Sequence, residues 1–269
     1  LHTLLMMKPK LKILDVSASI GCNLSCKGCN HFSNYFAAGS KISTDALLDD
    51  LNKILPRIDI GRISVIGGEP LLNPRCEEIL NACRSSSDSI VYLYTNGLLL
   101  LQNEKWIKRA LEDPKIFLRI SVHIPEVIDI VKKFNHPKVI VSEHHDNVDQ
   151  WFYSIKQKDG KVYPYDHKNP KKSFYYCSCP NTQLYNGRLW KCPNSAFLNE
   201  LLYVTDQEND LVWSEYKKQG LSVDCSDDQL KTFCDNSTNH ESICNMCTSK
   251  PLKFSAAVQS KIKKKVIHV

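Results

Sequence analysis

The sequence predicts an α/β fold, an open or partly closed barrel of parallel strands followed by a small cysteine-rich unit. Three observations predict it. Apolar strand-like runs alternate with amphipathic helical patterns from residue 11 to about 143, an order that favours right-handed crossovers and a parallel sheet. Each unusual loop in that stretch follows directly on a strand, where α/β barrels carry their chemistry. The twelve cysteines are unevenly spread, at 22, 26 and 29, at 76 and 83, and then at 177, 179, 192, 225, 234, 244 and 247.

Leu11 to Ser17 reads as the first strand and leads into the first cysteine loop. Ser43 to Leu55 reads as a helix, with a Ser/Thr cap, acids in the first turn and leucines at helical spacing. Arg62 to Ile66 is the next strand, ending in Gly67-Gly68-Glu69-Pro70. Glu77 to Arg84 reads as helix, Ile90 to Tyr94 as strand and Thr95-Asn96-Gly97 as a turn. Residues 104–112 and 125–134 read as helices around the strand Ile116 to Val122, and Lys138 to Ser142 is a fifth strand. Cys76 and Cys83, seven apart on one helix, share a face and are expected to pack.

Composition narrows the function classes. Hydrophobic residues make up 42% and charged residues 24% of 269, which excludes a disordered chain and a rod. No run of about 18 apolar residues spans a membrane, and Leu1 to Lys8 is not a signal peptide, so a cytoplasmic chain is expected. The net charge of +6 is partly concentrated in Lys261 to Lys265, read as a solvated basic tail or helix. No nucleic-acid-binding signature accompanies it, and neither a nucleic acid nor a membrane is an expected partner. In a reducing compartment so many cysteines point to metal or cluster ligation rather than disulfides.

Cys22-Asn-Leu-Ser-Cys26-Lys-Gly-Cys29 puts three thiols on the loop after the first strand. Thiolates this close in sequence can converge on one inorganic centre, and three ligands leave one iron of a [4Fe–4S] cluster open. A zinc knuckle completed by His31, or fortuitous clustering, would also account for the triplet alone. With Gly67-Gly68-Glu69-Pro70 after the second strand, the chain resembles the radical S-adenosylmethionine (SAM) superfamily. The resemblance implies a partial (β/α)6-type radical SAM barrel over residues 11–165, after a short extension at 1–10. It implies a SAM-binding [4Fe–4S] cluster on Cys22, Cys26 and Cys29. The methionyl end of SAM would lie along Gly67, Gly68, Glu69 and Pro70, with Glu69 accepting from its ammonium group. Thr95, Asn96 and Ser121 match positions where relatives touch SAM. Relatives usually carry an aromatic residue just before the third cysteine, near the adenine. Here Gly28 stands there, so either Phe32 takes over or the adenine is held differently. Reductive cleavage of SAM to methionine and a 5′-deoxyadenosyl radical, fed by a flavodoxin- or ferredoxin-type electron donor, is the implied reaction.

Downstream, Asn186-Gly187 between two alternating runs is a hairpin signal that brings an entering cysteine near Cys192. Cys244-Asn-Met-Cys247 adds a close pair, and four such thiols suit either a [4Fe–4S] or a zinc site. The layout resembles the twitch domain, a shortened SPASM-type extension of radical SAM enzymes. That implies a small C-terminal β-hairpin plus helix cluster-binding domain over 166–250, before the tail at 251–269. It implies one auxiliary [4Fe–4S] cluster on Cys179, Cys192, Cys244 and Cys247, with Cys177 as the alternative first ligand.

His31, Cys225 and Cys234 are the candidate catalytic residues, and His123, His136, His144 and His145 are candidate cavity histidines. Trp151, Phe152 and Tyr153 read as core or cavity wall. Three functions compete: an oxidoreductase or dehydrogenase acting on a small, sugar-like metabolite; a peptide-modifying maturase, an epimerase or crosslinking enzyme; and a zinc-stabilised nucleic-acid module. Only about ten residues precede the first strand, which argues against a leader-peptide recognition domain and so against the second. The third leaves Gly67-Gly68-Glu69-Pro70 and the strand order unexplained.

Overall fold

The structure is a computed structural model that describes residues 7–143, 150–177, 180–253 and 260–263. Strands and helices alternate through β1 (Lys10–Ser19), β2 (Leu24–Cys26), α1 (Thr44–Ile54), β3 (Asp59–Gly67), α2 (Cys76–Ser85), β4 (Ile90–Thr95), α3 (Glu104–Ala110), β5 (Ile116–Val122), α4 (Glu126–Phe134) and β6 (Val139–Glu143). Local chemistry sets these bounds. Ser43 caps α1 by accepting from the Ala46 N–H at 3.3 Å, and Leu47, Leu51 and Ile54 bury one face. Asn135, with φ 35°, closes α4 in the left-handed conformation.

The second half contributes β7 (Gln150–Trp151), β8 (Lys156–Lys158), β9 (Lys161–Tyr163), α5 (Pro170–Tyr175), β10 (Thr182–Tyr185), β11 (Arg188–Trp190), α6 (Pro193–Ala196), α7 (Leu198–Val204), β12 (Leu221–Ser222), α8 (Asp227–Asn236), β13 (Leu252–Lys253) and β14 (Ser260–Ile262). The main sheet has eight strands in the order β12-β11-β10-β1-β3-β4-β5-β6. Strands β10, β1, β3, β4, β5 and β6 run parallel, whereas β11 and β12 are antiparallel additions. Among the described residues the sheet does not close into a barrel. The hairpin turn at Asn186 and Gly187 has φ of 51° and 71°, the signs of a type I′ turn, as the Asn-Gly pair predicts. The hairpin continues the main sheet, because β10 pairs with β1.

The sheet has two unlike faces. Leu14, Val16, Ile63, Val65, Leu93 and Leu118 point to the helices and form one core with Leu51, Ile79 and Leu80; Cys76 and Cys83 pack there too. Each such side chain contributes about 1.5–3 kcal/mol by leaving water. The alternate residues, among them Asp15, Ser17, Arg62, Ser64, Tyr94, Arg119 and Ser121, fall on the opposite, inner face. A second core of Phe32, Phe36, Phe197, Trp213 and Met246 lies beneath the C-terminal half.

The basic end departs from the solvated tail or helix that the sequence predicts. Its described residues include β13, which pairs with β7, and β14, which pairs antiparallel with β2 inside the first cysteine loop. The strand is fastened by one long side chain: Lys263 Nζ donates to the Ser33 and Phe36 carbonyls, both at 2.6 Å. Lys263→Met should therefore lower stability by about 1–2 kcal/mol, the low end for charged hydrogen bonds because the site is half-exposed. The checks are the melting temperature and protease cleavage within residues 22–36.

Candidate active site and two thiol sets

A cavity of about 410 Å³ opens where the strands end and is lined by Cys22, Cys26, Cys29, Gly67, Gly68, Pro70, Thr95, Asn96 and Ser121. Residues predicted from four separate loops thus share one wall. Cys22 is 7% exposed, and burial pushes its thiol up, with the Glu69 charge and the nearby Cys29 and Cys26 adding to the shift. Its sulfur accepts from the Leu24 N–H at 3.4 Å and the Asn96 amide at 3.7 Å. Asn96 also donates to Asn23 at 2.7 Å, so the Thr95-Asn96-Gly97 turn holds the cysteine loop in place.

The Gly67-Gly68 turn packs against the end of β1. Gly68 N–H donates to Ser19 O at 2.8 Å and Glu69 N–H to Gly21 O at 2.9 Å. A Cβ on Gly68 would stand 2.1 Å from Gly21 O, so only glycine permits this approach. Glu69 is fully buried and does not line the cavity. One carboxylate oxygen accepts from Leu71 N–H (3.1 Å) and the Thr95 hydroxyl (2.7 Å), the other from Asn96 N–H (2.8 Å). Burial raises its carboxyl to about 7 against these bonds. Glu69 therefore joins the two SAM-loop turns to each other, and only one acceptor position remains for an external donor.

Phe32 departs from its expected place beside the adenine. It is 1% exposed, belongs to the second core and is not in the cavity wall, because its own φ of 53° turns the chain after Cys29. Trp151 lines the cavity, with its indole N–H on the Gly28 carbonyl at 2.9 Å and its ring over the side of Gly28 where a side chain would project. His31 also lines the cavity, and burial lowers its pKa to about 4, so it is neutral at physiological pH. His123 joins the wall. His136 lies outside it and accepts from the Lys138 N–H at 3.2 Å, while His144 and His145 fall outside the described residues. Cys225 and Cys234, the other catalytic candidates, do not line the cavity. Helix α8 packs on the outer face of the sheet, opposite the cavity, where Cys234 is 3% exposed and Cys225 packs at its edge.

Asp15, Arg62, Arg119 and Asn181 are among the described cavity residues that the sequence reading does not single out. The signal was present, since a charged residue in the middle of a buried apolar strand must face a polar space. Asp15 is 4% exposed. Burial raises its carboxyl to about 6, offset in part by Asn181, Ser64 and the Arg62 guanidinium.

A second thiol set gathers under the C-terminal half. Cys177, Cys192, Cys244 and Cys247 line one mainly apolar pocket with Phe152, Phe174 and Met246. Burial and the neighbouring thiols push Cys192 up to about 12 and raise Cys247 well above the ordinary range. Cys179, the favoured first ligand, lies outside the described residues. Among the described residues no three His, Cys, Asp or Glu side chains meet closely enough for a single metal ion. A tetrahedral zinc site draws its sulfurs to about 2.3 Å from one point. An all-sulfur donor set of this kind suits either a zinc ion or a [4Fe–4S] cluster, which takes each thiolate on its own iron.

Residues 16–150, half of the chain, match the radical SAM superfamily, and the chain belongs to it. It is 31% identical over 104 residues to the GTP 3′,8-cyclase of Aquifex aeolicus (strain VF5), spanning 37% of this chain and 32% of that protein. It is 24% identical over 147 residues to a probable dual-specificity RNA methyltransferase RlmN of Bacteroides fragilis, spanning 46% and 42%. The chain thus matches about a third to two fifths of the length of these relatives. Its fold resembles the crystal structure of BtrN in complex with AdoMet and 2-DOIA, with a TM-score of 0.54, 17% identity, and 90% and 94% of the two chains covered. The protein is accordingly a radical SAM enzyme. Among its described residues no helix is long and apolar enough to cross a membrane.

Two outcomes follow from the wall's chemistry. Glu69→Gln sets an amide NH2 against one of the three donors, at about 1–3 kcal/mol for the lost bond and the buried donor. SAM binding should weaken about tenfold or more by equilibrium dialysis, with a lower melting temperature. For Asp15, the native pKa near 6 stands above the ordinary 3.8, so ionisation opposes folding. The stability present below about pH 4 is lost as pH rises through 6. Asp15→Asn should escape that loss, on the order of 2 kcal/mol, so its melting temperature should exceed the parent's increasingly from pH 5 to 8.

Proposed function

We propose that the protein is a radical SAM oxidoreductase that abstracts hydrogen from a small polar, sugar-like metabolite and passes the second electron to an auxiliary cluster. The observation that carries this reading is the second set of four described thiols around one apolar pocket, on the same chain as the SAM site. When bound, the first cluster supplies the electron that cleaves SAM into methionine and a 5′-deoxyadenosyl radical.

The chain's own residues do the positioning. Gly67 and Gly68 present backbone to the methionyl end, and Thr95 and Asn96 keep the turns in register through Glu69. The inner face of the sheet supplies the substrate's polar contacts from Asp15, Arg62, Arg119 and Ser121. In the auxiliary pocket Cys179 or Cys177 serves as first ligand, with Cys192, Cys244 and Cys247; the apolar side chains around the pocket exclude water and so tune the potential. A flavodoxin- or ferredoxin-type protein is the proposed electron donor.

Anaerobic reconstitution tests this. The intact protein should hold two cubanes' worth of iron, about eight per chain. Cys192→Ala should halve the iron while leaving dithionite-driven SAM cleavage, and Cys26→Ala should abolish that cleavage. Four irons in the intact protein, or two zinc ions, would overturn the auxiliary cluster.

A further inference from the structure

The cavity wall beyond the cysteine loop carries two arginines that no salt bridge neutralises among the described residues. Arg62 on β3 and Arg119 on β5 both line the cavity and flank β4 between them. Tyr92 and Tyr94 of β4 form a floor: Arg62 Cζ lies 5.5 Å from the Tyr92 ring centroid, and Arg119 Cζ lies 5.8 Å from that of Tyr94. The rings hold the guanidiniums in place without consuming their N–H donors. Arg62 Nε is buried with no hydrogen-bond partner. The hydrogen bonds of Arg119 go to the Ser142 hydroxyl, at 3.2 and 3.3 Å. A guanidinium has five donors in a rigid fork, so most of this capacity is unspent.

Asp15 provides the second, independent sign of a ligand. It is 4% exposed, lines the same cavity and accepts from Asn181 at 3.1 Å through one oxygen, while the other oxygen makes no hydrogen bond. Among the described lining residues, Arg62, Arg119 and Lys27 stand against the one carboxylate of Asp15. SAM does not account for Arg62, which stands five residues before Gly67, roughly 16 Å deeper along the strand.

We infer that the substrate is a small hydroxylated anion, its carboxylate or phosphate held by Arg62 and Arg119 and one of its hydroxyls donating to Asp15. The inference rests on the reading of the protein as an enzyme of a small polar metabolite and narrows that class. A neutral sugar would offer the forks hydroxyl oxygens alone and leave their positive charge uncompensated. An anion with hydroxyls matches each group in the wall, since Arg forks take carboxylate and phosphate oxygens two at a time.

The test titrates cluster-loaded, SAM-saturated protein calorimetrically with D-glucose, D-glucuronate, D-glucose 6-phosphate and inorganic phosphate. Both sugar anions should bind at least about tenfold tighter than glucose, and whichever is tighter distinguishes carboxylate from phosphate. Arg62→Gln and Arg119→Gln should each weaken the anions about tenfold or more, with Arg62→Lys recovering part of the loss. Asp15→Asn should weaken the sugar anions and leave inorganic phosphate unchanged. Melting temperatures and SAM dissociation constants of the same variants separate a lost anion site from a lost fold. Glucose binding as tightly as the anions, no binding of any anion, or arginine variants with unaltered anion affinity would each overturn the inference. So would a proportional loss of SAM affinity, which would assign the arginines to SAM. Iron content and SAM cleavage by the parent protein report on the underlying reading separately; both intact without anion binding would sink this inference alone.

Discussion

The approach of the Gly67-Gly68 turn to the backbone of Ser19 to Gly21 is the constraint on which the site depends. Two backbone hydrogen bonds and a contact too close for any side chain fix the end of β3 against the loop that carries the cysteines. Glu69 then fastens β4 to β3 from below, and Asn96 reaches from β4 to Cys22. Three loops that are remote in sequence become one rigid wall, so the thiols and the backbone of the glycine turn are preorganised together.

The division of the sheet into two faces makes this wall possible. The helix-side face supplies the apolar burial that holds the fold, while the inner face carries buried Asp15, Ser17 and Ser64 beside half-buried Arg and Tyr side chains that add little to stability. Asp15, whose carboxyl burial holds near 6, illustrates the conflict between folding and binding. A group that opposes folding when ionised is retained where a ligand repays it.

Much of this was legible in the sequence, because the period-2 and period-3.6 patterns and the loop motifs are local. Strands β1 and β3 to β6, helices α1 to α4, the Asn186-Gly187 hairpin and the shared cleft of Cys22, Gly67, Thr95 and Ser121 follow from them. What escaped depends on distant partners. Strand β2 is three residues long and exists by pairing with β14, more than two hundred residues away. Phe32 was expected near the adenine because it is aromatic and adjacent, yet its backbone angle sends it into the other core. Trp151 reaches Gly28 across more than a hundred residues, a contact no spacing rule encodes. Cys225 and Cys234 were separated from the other thiols only by which face of the sheet α8 covers.

Three thiolates on one loop leaving one iron corner open to SAM is the central claim. It is tested most directly on a variant lacking Cys192, Cys244 and Cys247, in which only the first cluster remains. Its reduced form, frozen with and without SAM, should give electron paramagnetic resonance spectra that differ in g values, because SAM becomes a ligand of the cluster. An identical spectrum in both samples, with SAM bound by independent measurement, would contradict the claim.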